Sequence, residues 1–497
     1  MISKSTFVRF MHCSKDLWLF FSKKEEMAPL DAVQKQNIKN GIIVGGLARK
    51  YFPDTLNAQT TTPNGFPIYE QQIEITKKCL ADNANCIAEA SFSYKNLFCA
   101  VDLLKKDDDG YSIYEVKSNK EVEDEHYYDV AFQKYVLEKC GLKINHIYLM
   151  HVNFEYVRHG ELDLSQYFAL ECLDTNSTVL TTYNEMDNYL SLIDELLNSK
   201  EEPVTVFENG KCNKKDCPFY CYCHKDIPDK SILLLNGRGL KGKEELLAKG
   251  IITIDDLVCS GLPVKGNLNR VQIDCIRNNK QVSVDKNGLS KFLSSLKYPI
   301  YHLDFETTNY IVPPFDGMRP HEEFPFQYSL HIEDKPGHLL AHREFLANKL
   351  DCIKEIAKSL YDDIPDGATV LAYYASVEQR FIRYLASKCP EYSERLLSYK
   401  VVDLYQPFAN GYYYNIAQGA SCSIKQVMPA IVPEHANAYQ ELPGVHNGAE
   451  ALSIFDIMLH QDDNVRQITR KGMLEYCKLD TLSMVWVLNK LWSIIGH

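Results

Sequence analysis

The sequence predicts an α/β protein in which two strand-and-helix segments flank a short helical one. Three observations predict it. Strand-like runs separated by a charged turn, then a helix and a further strand, mark the first segment, to about residue 228. Glycine-punctuated helical sequence, LLLNGRGLKGKEELLAKGIITIDDLVCSG, fills about 229–285. Strand and helix periods alternate again from about 293 to the end. The length of 497 residues suits about three domains.

Composition narrows the function classes. Hydrophobic residues at 45% and charged residues at 24% match a globular chain that buries real cores, which excludes general disorder. No apolar run reaches the ~18 residues of a membrane helix. Lys4, Arg9, Lys15 and Asp16 interrupt the opening, so it does not read as a signal peptide. The expected location is the cytoplasm. Sixteen cysteines in a reducing compartment are free thiols or metal ligands before they are disulfides. A net charge of −12 weighs against a nucleic-acid partner, because phosphate contacts use a basic face. Carboxylates that bind metal ions contribute to such a surplus, and a net value hides local patches.

In the first segment Ser93–Lys106 and Tyr111–Lys117 read as strands around the turn Asp107–Gly110, followed by a helix at Val130–Lys139 and a strand at Ile144–Val152. In the third, Tyr298–Glu306, Phe326–Ile332 and Thr369–Tyr374 read as strands. Helices are expected at Asp351–Tyr361, from about Val377 and Ala449, and near Met473–Leu491.

Asp304 and Glu306 in YHLDFET project from one face of a strand. Paired carboxylates of this kind hold the two divalent ions of phosphodiester hydrolysis, although a solvated strand end carries the same acids. Glu378 stands near a helix start, where an acid also suits the helix dipole. Tyr476 and Asp480 share one helix face at i and i+4. In this order the features resemble the DnaQ-like DEDD exonucleases in their tyrosine variant, over about 298–492. The resemblance implies an RNase H-like fold and 3′–5′ exonuclease activity. It further implies two Mg²⁺ or Mn²⁺ ions on Asp304, Glu306, Glu378 and Asp480, and a water oriented by Tyr476. Ser421–Lys425 resembles an element before the family's last helices. Tyr374, Val377 and Glu378 depart from the family's usual Asn, Phe and Asp. Asp403 in KVVDLY is the fallback carboxylate, though a structural strand-end role is the better reading.

In the first segment Asp102 precedes Glu115-Val-Lys117, with Glu89 upstream and Gln133 in the next helix. A hairpin with solvated charges is the plain reading. Together these residues resemble the PD-(D/E)XK nucleases of the RecB type, which implies a restriction-endonuclease-like fold with Asp102 and Glu115 as metal ligands. A histidine expected in the N-terminal helix is absent from NGIIVGGLARKYF, so the fold can stand without full activity. Cys212, Cys217 and Cys223 close the segment, Cys13 lies near its start, and Cys221 is a fifth candidate. Four thiolates bind Zn²⁺ or an iron–sulfur cluster, and spacing leaves the choice open. With SKSTFVRFMHCSKDLWL the set resembles iron–sulfur RecB-type exonucleases, which implies a structural [4Fe-4S] cluster.

The middle stretch resembles a helix-hairpin-helix element with Lys241, Gly242 and Lys243 facing phosphate; a helical linker is the alternative. The whole order resembles a bacterial family of two-nuclease proteins. It implies digestion of single-stranded DNA, with RNA as an alternative substrate and a binding scaffold with an inactive first domain as a third reading. Aromatic residues, 11% of the chain, include rings able to stack on unpaired bases.

Overall fold

Alternating β-branched and aromatic residues set the strands of the first half. These are Ile2–Ser3 (β1), Thr55–Asn57 (β2), Cys86–Tyr94 (β3), Leu97–Lys106 (β4), Tyr111–Lys117 (β5), Ile144–Val152 (β6) and Phe168–Cys172 (β7). They form one sheet in the order β2-β3-β4-β5-β6-β7, with β1 beside β4. The expected strand Ser93–Lys106 is two strands. Lys95 and Asn96 make a two-residue turn, with Lys95 left-handed at φ 53°. Apolar residues on both sides of that turn made it read as continuous.

The computed structural model describes residues 1–120, 122–207, 212, 217–236, 240–442 and 448–496. Contacts divide the chain into two units, Met1–Lys225 with Tyr310–His321, and Asp226–Asn309 with Glu322–His497. Both are mixed α/β. Among the described residues, no helix is long and apolar enough to cross a membrane.

Helices Lys4–His12 (α1), Ser14–Ser22 (α2), Ala32–Ala48 (α3), Tyr69–Ala81 (α4) and Asp124–Lys139 (α5) belong to the first unit. Helix α5 starts ahead of the expected Val130. Glu123 and His126 cap it reciprocally, and its polar first turn hid the start. Its apolar side packs with α1 in the sheet's core, where the Phe7 ring stacks 5.3 Å from Phe132.

The second unit holds Val282–Val284 (β8), Ile300–Thr308 (β9), Phe324–Lys335 (β10), His338–Leu346 (β11), Thr369–Ala372 (β12), Lys400–Asp403 (β13) and Tyr413–Asn415 (β14). Five of them form a sheet in the order β11-β10-β9-β12-β13. Strand β10 runs antiparallel to both neighbours, whereas β9, β12 and β13 are parallel. Strand β12 stops before the expected Tyr374, because Tyr374 turns left-handed and caps the next helix. The unit's helices include Ile353–Asp363 (α6), Ala375–Lys388 (α7), Ile424–Ile431 (α8) and Asp463–Ile495 (α9). Helix α9 begins well ahead of the expected Met473, where Asp462 caps the backbone of Val465.

The middle stretch folds as Leu240–Ala248, Ile254–Cys259 and Asn267–Arg277. Leu268 and Cys275 share one core with Tyr414, Met428 and Leu488, so this stretch is built into the second unit.

Helix α3 carries Gly41 in its interior, and a Cβ there would meet nothing within 4 Å. Gly41→Ala is therefore expected to stabilise the first unit by about 0.5–1 kcal/mol, through helix propensity alone. Urea unfolding followed by circular dichroism measures this; a lower midpoint for the variant would contradict it.

Candidate metal centres

The position of α9 across the second sheet decides what meets there. Gln327 Nε2 on β10 donates to the Met473 carbonyl over 2.9 Å. Thr481 Oγ1 lies 2.7 Å from both Ser329 Oγ and His331 Nδ1. The Cys477 thiol lies 3.8 Å from the Asp304 carbonyl. These buried bonds pin α9 to the face of β9 on which Asp304 and Glu306 project, opposite Ser329 and Gln327.

Asp304, Glu306 and Cys477 each bring one ligand atom within 4.8 Å of the others. The Cys477 thiol is pushed well above its usual range, by burial and then by Asp304 and Glu306. It stays protonated and is a poor ligand for a hard cation. Asp480, three residues on, is the better partner. Burial, followed by the charges of Asp480, Glu306 and Glu378, holds the Asp304 carboxyl well above the carboxylate range. Burial and then Asp480 push Glu306 up to about 8. Burial raises Asp480 as well. Glu378, in the first turn of α7, is pushed up to about 8 by burial, with Asp403 adding to it. Its Oε2 is buried without a hydrogen-bond partner. Asp304 and Glu306 thus come within ligand spacing of one another, while Asp480 and Glu378 act on Asp304 through their charges and do not join that mutual spacing.

Two side chains escaped the sequence reading as site members. Lys425 on α8 donates to Tyr476 Oη over 2.6 Å, and Tyr439 donates to Asp480 Oδ1 over 2.7 Å. Lys425 supplies a positive charge that acts on Asp304, Glu306 and Asp480 alike. The Ser421–Lys425 element pointed to Lys425; nothing periodic marks Tyr439. Burial, then the carboxylates, push the Tyr476 hydroxyl far up, so it remains a phenol that accepts from Lys425 and lies against the Asp480 carboxylate, which it helps hold down. Asp403 is differently engaged: its Oδ1 accepts the backbone N–H groups of Tyr374 at 3.0 Å and Tyr405 at 2.9 Å.

The first unit builds a second acidic group. Glu115, 1% exposed, accepts from Gln133 at 2.6 Å, Lys117 at 2.7 Å and Lys4 at 3.1 Å. Asp129 accepts from Lys117 and Gln133 at 2.9 Å each and pairs with Lys4 at 3.5 Å. Asp102 accepts the Val116 N–H at 2.7 Å. Burial, then Asp102 and Asp129, push Glu115 up to about 7. Burial would raise Asp129 too, but Lys117 and Lys4 outweigh it and hold that carboxyl well below its usual range. Lys4 and Asp129 were missed because a lone lysine near a chain start and an acid in a helix carry no pattern. Glu89, left-handed at φ 55°, pairs with Arg49 at 2.8 Å. It lines a cavity of about 390 Å³ together with Asp102, Gly41 and Gly45.

Cys13, Cys217 and Cys223 lie close enough to act on one another: burial, then Asp16, Cys223 and Cys13, push the Cys217 thiol up to about 12, and Cys13 also raises Cys223. Cys212 lies 3.6 Å from the Val206 carbonyl, and residues 213–216 fall outside the described residues. Among the described residues, these sulfurs do not close to the mutual spacing of the Asp304 group. Cys221 is exposed.

The phosphate-facing role expected of Lys243 needs correction. Lys243 turns inward to the Leu233 carbonyl at 3.2 Å, and Gly242 lies inside a helix. The left-handed turn is at Gly250, φ 74°. The Lys241 side chain lies outside the described residues.

A family model described as a domain of unknown function (DUF2779) matches residues 301–423. That span takes in Asp304, Glu306, Glu378 and Asp403, and ends before Lys425, Tyr476 and Asp480. No curated protein matches the chain.

Glu306 and Glu378 have carboxyls raised from 4.5 to about 8, so the stability they contribute is complete below pH 4.5 and is lost as pH climbs through 8. In EDTA the melting temperature is expected to fall across that window, and saturating Mg²⁺ to flatten the decline. A level EDTA profile would show that the acids are not crowded.

Proposed function

We propose that the protein is a metal-dependent nuclease that hydrolyses phosphodiester bonds at the centre on β9, α7 and α9, removing nucleotides from the 3′ end of single-stranded DNA. The observation that supports this reading is the pair Asp304 and Glu306 at ligand spacing on one face of β9, with the charges of Asp480 and Glu378 acting on Asp304. Crowded buried carboxylates are a poor arrangement for a protein alone and a good one for holding cations.

The oxygen donors fit Mg²⁺ or Mn²⁺, with Asp304, Glu306, Glu378 and Asp480 as the residues that would hold them. Bound there, such ions supply charge that stabilises the attacking and leaving oxygens. Tyr476, whose hydroxyl lies against the Asp480 carboxylate, would help orient the attacking water. Lys425 fixes Tyr476 from behind, and Tyr439 fixes Asp480. Water oxygen bonds to phosphorus as the bond to the 3′ oxygen breaks; the water's proton passes to solvent, and the released 3′ oxygen takes one up from solvent. On this reading the second unit is an RNase H-like DEDD exonuclease, and the first is a RecB-type PD-(D/E)XK module.

The ion pairs of Lys4 and Lys117 favour a gripping role for that first module. Its acids already have cations, which a metal must displace. Cys13, Cys212, Cys217 and Cys223 would hold a [4Fe-4S] cluster that ties the unit's two ends, with Zn²⁺ as the alternative.

End-labelled single strands, DNA and RNA in parallel, are expected to be shortened in Mg²⁺ or Mn²⁺. Asp304→Asn and Asp480→Ala should each slow this on the order of 100- to 1,000-fold. Should Lys117→Ala abolish digestion instead, the cutting belongs to the first unit. If wild type shifts strands in gels and leaves them intact, the protein is a binding scaffold. Protein purified without oxygen should be brown, and colourless as Cys13→Ala; a colourless, zinc-loaded wild type refutes the cluster.

A further inference from the structure

Tyr374 stands four residues before Glu378, at the N-cap of α7. Its backbone is left-handed, at φ 65° and ψ 54°. A bulky side chain is strained there, whereas glycine fits freely. The residue is nevertheless a tyrosine, and it is 42% exposed. Burial therefore does not account for the ring.

The surroundings hold that ring in place. Tyr405 lies beside it, with ring centroids 4.4 Å apart and planes tilted by 34°. The two hydroxyls lie close enough to act on one another. Buried Tyr373 backs both rings, at 5.5 Å from Tyr374 and 6.0 Å from Tyr405. One carboxylate oxygen of Asp403 receives both backbone N–H groups. A rigid aromatic surface is thus presented to solvent beside the helix turn that carries Glu378, and Val377, itself 39% exposed, extends it.

We propose that Tyr374, braced by Tyr405, is the platform on which the terminal unpaired base of a substrate strand stacks. This rests on the reading of the adjoining centre as a nuclease and names how its substrate is held. A nucleobase suits the place because its flat face needs no counter-charge. The neighbouring carboxylates repel a phosphate unless cations intervene. Every base has such a face, so the platform takes any sequence. A base paired in a duplex end cannot lie on it, so the platform selects frayed or single-stranded ends.

The test is binding measured by fluorescence anisotropy in Ca²⁺, with labelled oligothymidylate of ~10 nucleotides, a length within the usual range of single-strand sites. The companion probe is the same strand ending in an abasic residue. Wild type should bind the ordinary strand on the order of tenfold more tightly than the abasic-ended one. Tyr374→Gly relieves the backbone and removes the ring; it should lose that difference while melting no lower than wild type. Tyr374→Trp should restore it. The platform is overturned if wild type binds the two strands alike, if it binds neither, or if Tyr374→Gly still tells them apart. Digestion of the ordinary strand in Mg²⁺ reports separately on the enzyme. Digestion without discrimination sinks the platform alone, and discrimination without digestion sinks the nuclease alone.

Discussion

The second unit depends on the polar seam that fastens α9 to the sheet. Gln327, Ser329, His331 and Thr481 are buried and bonded to one another or to α9's backbone. Buried polar groups are costly unless paired, so they accept one register and penalise others. A slide of α9 by one turn would leave them unpaired and carry Asp480 and Tyr476 away from Asp304. An apolar seam of the same size would hold the helix with less regard for register. His331 in the seam stays neutral: burial first, then His342 and His302, pushes it down to about 3. It adds no cation under the carboxylates, and that leaves the acids crowded.

Much of the candidate site was legible in the sequence because strand and helix periods dictate which side chains share a face. Asp304 with Glu306, and Tyr476 with Asp480, needed only periods of 2 and 3.6. Glu115 and Lys117 needed the same argument. What stayed hidden was tertiary. Lys425 and Tyr439 reach the centre through α8 and the turns after it, where no period links them to α9. Lys4 reaches Glu115 because β1 pairs with β4, a two-residue strand too short to announce itself. Fold errors have the same origin. The Lys95-Asn96 turn lies between apolar runs, the start of α5 is polar, and β11, HLLAHREFL, has no clean alternation. The inward turn of Lys243 could not be foreseen from KGK alone.

The two acidic centres solve the same electrostatic problem in opposite ways. In the first unit Lys4 and Lys117 neutralise Glu115 and Asp129 at hydrogen-bond distance, and Gln133 fills the remaining lone pairs. Most polar atoms of that group are paired, the buried Gln133 Oε1 excepted. In the second, Lys425 bonds to Tyr476 and opposes Asp304, Glu306 and Asp480 by its charge, while one Glu378 oxygen has no partner. Fewer internal cations sit at hydrogen-bond distance in the second, which on the proposed reading leaves more of its charge for an external cation to balance.

The net charge of −12 bears on how a strand could be held. A binder that relied on phosphate contacts would need a lysine- or arginine-rich face and would release many counterions. Here acids outnumber bases by 66 to 54, and several of the lysines near the centres are committed to internal pairs. On the proposed reading, affinity comes from groups indifferent to that surplus. Cations held between carboxylate and phosphate are one such group, and an uncharged stacking surface is another. Both place their contacts at the strand's end and leave its length alone, which suits an enzyme that removes terminal nucleotides better than one that coats a strand.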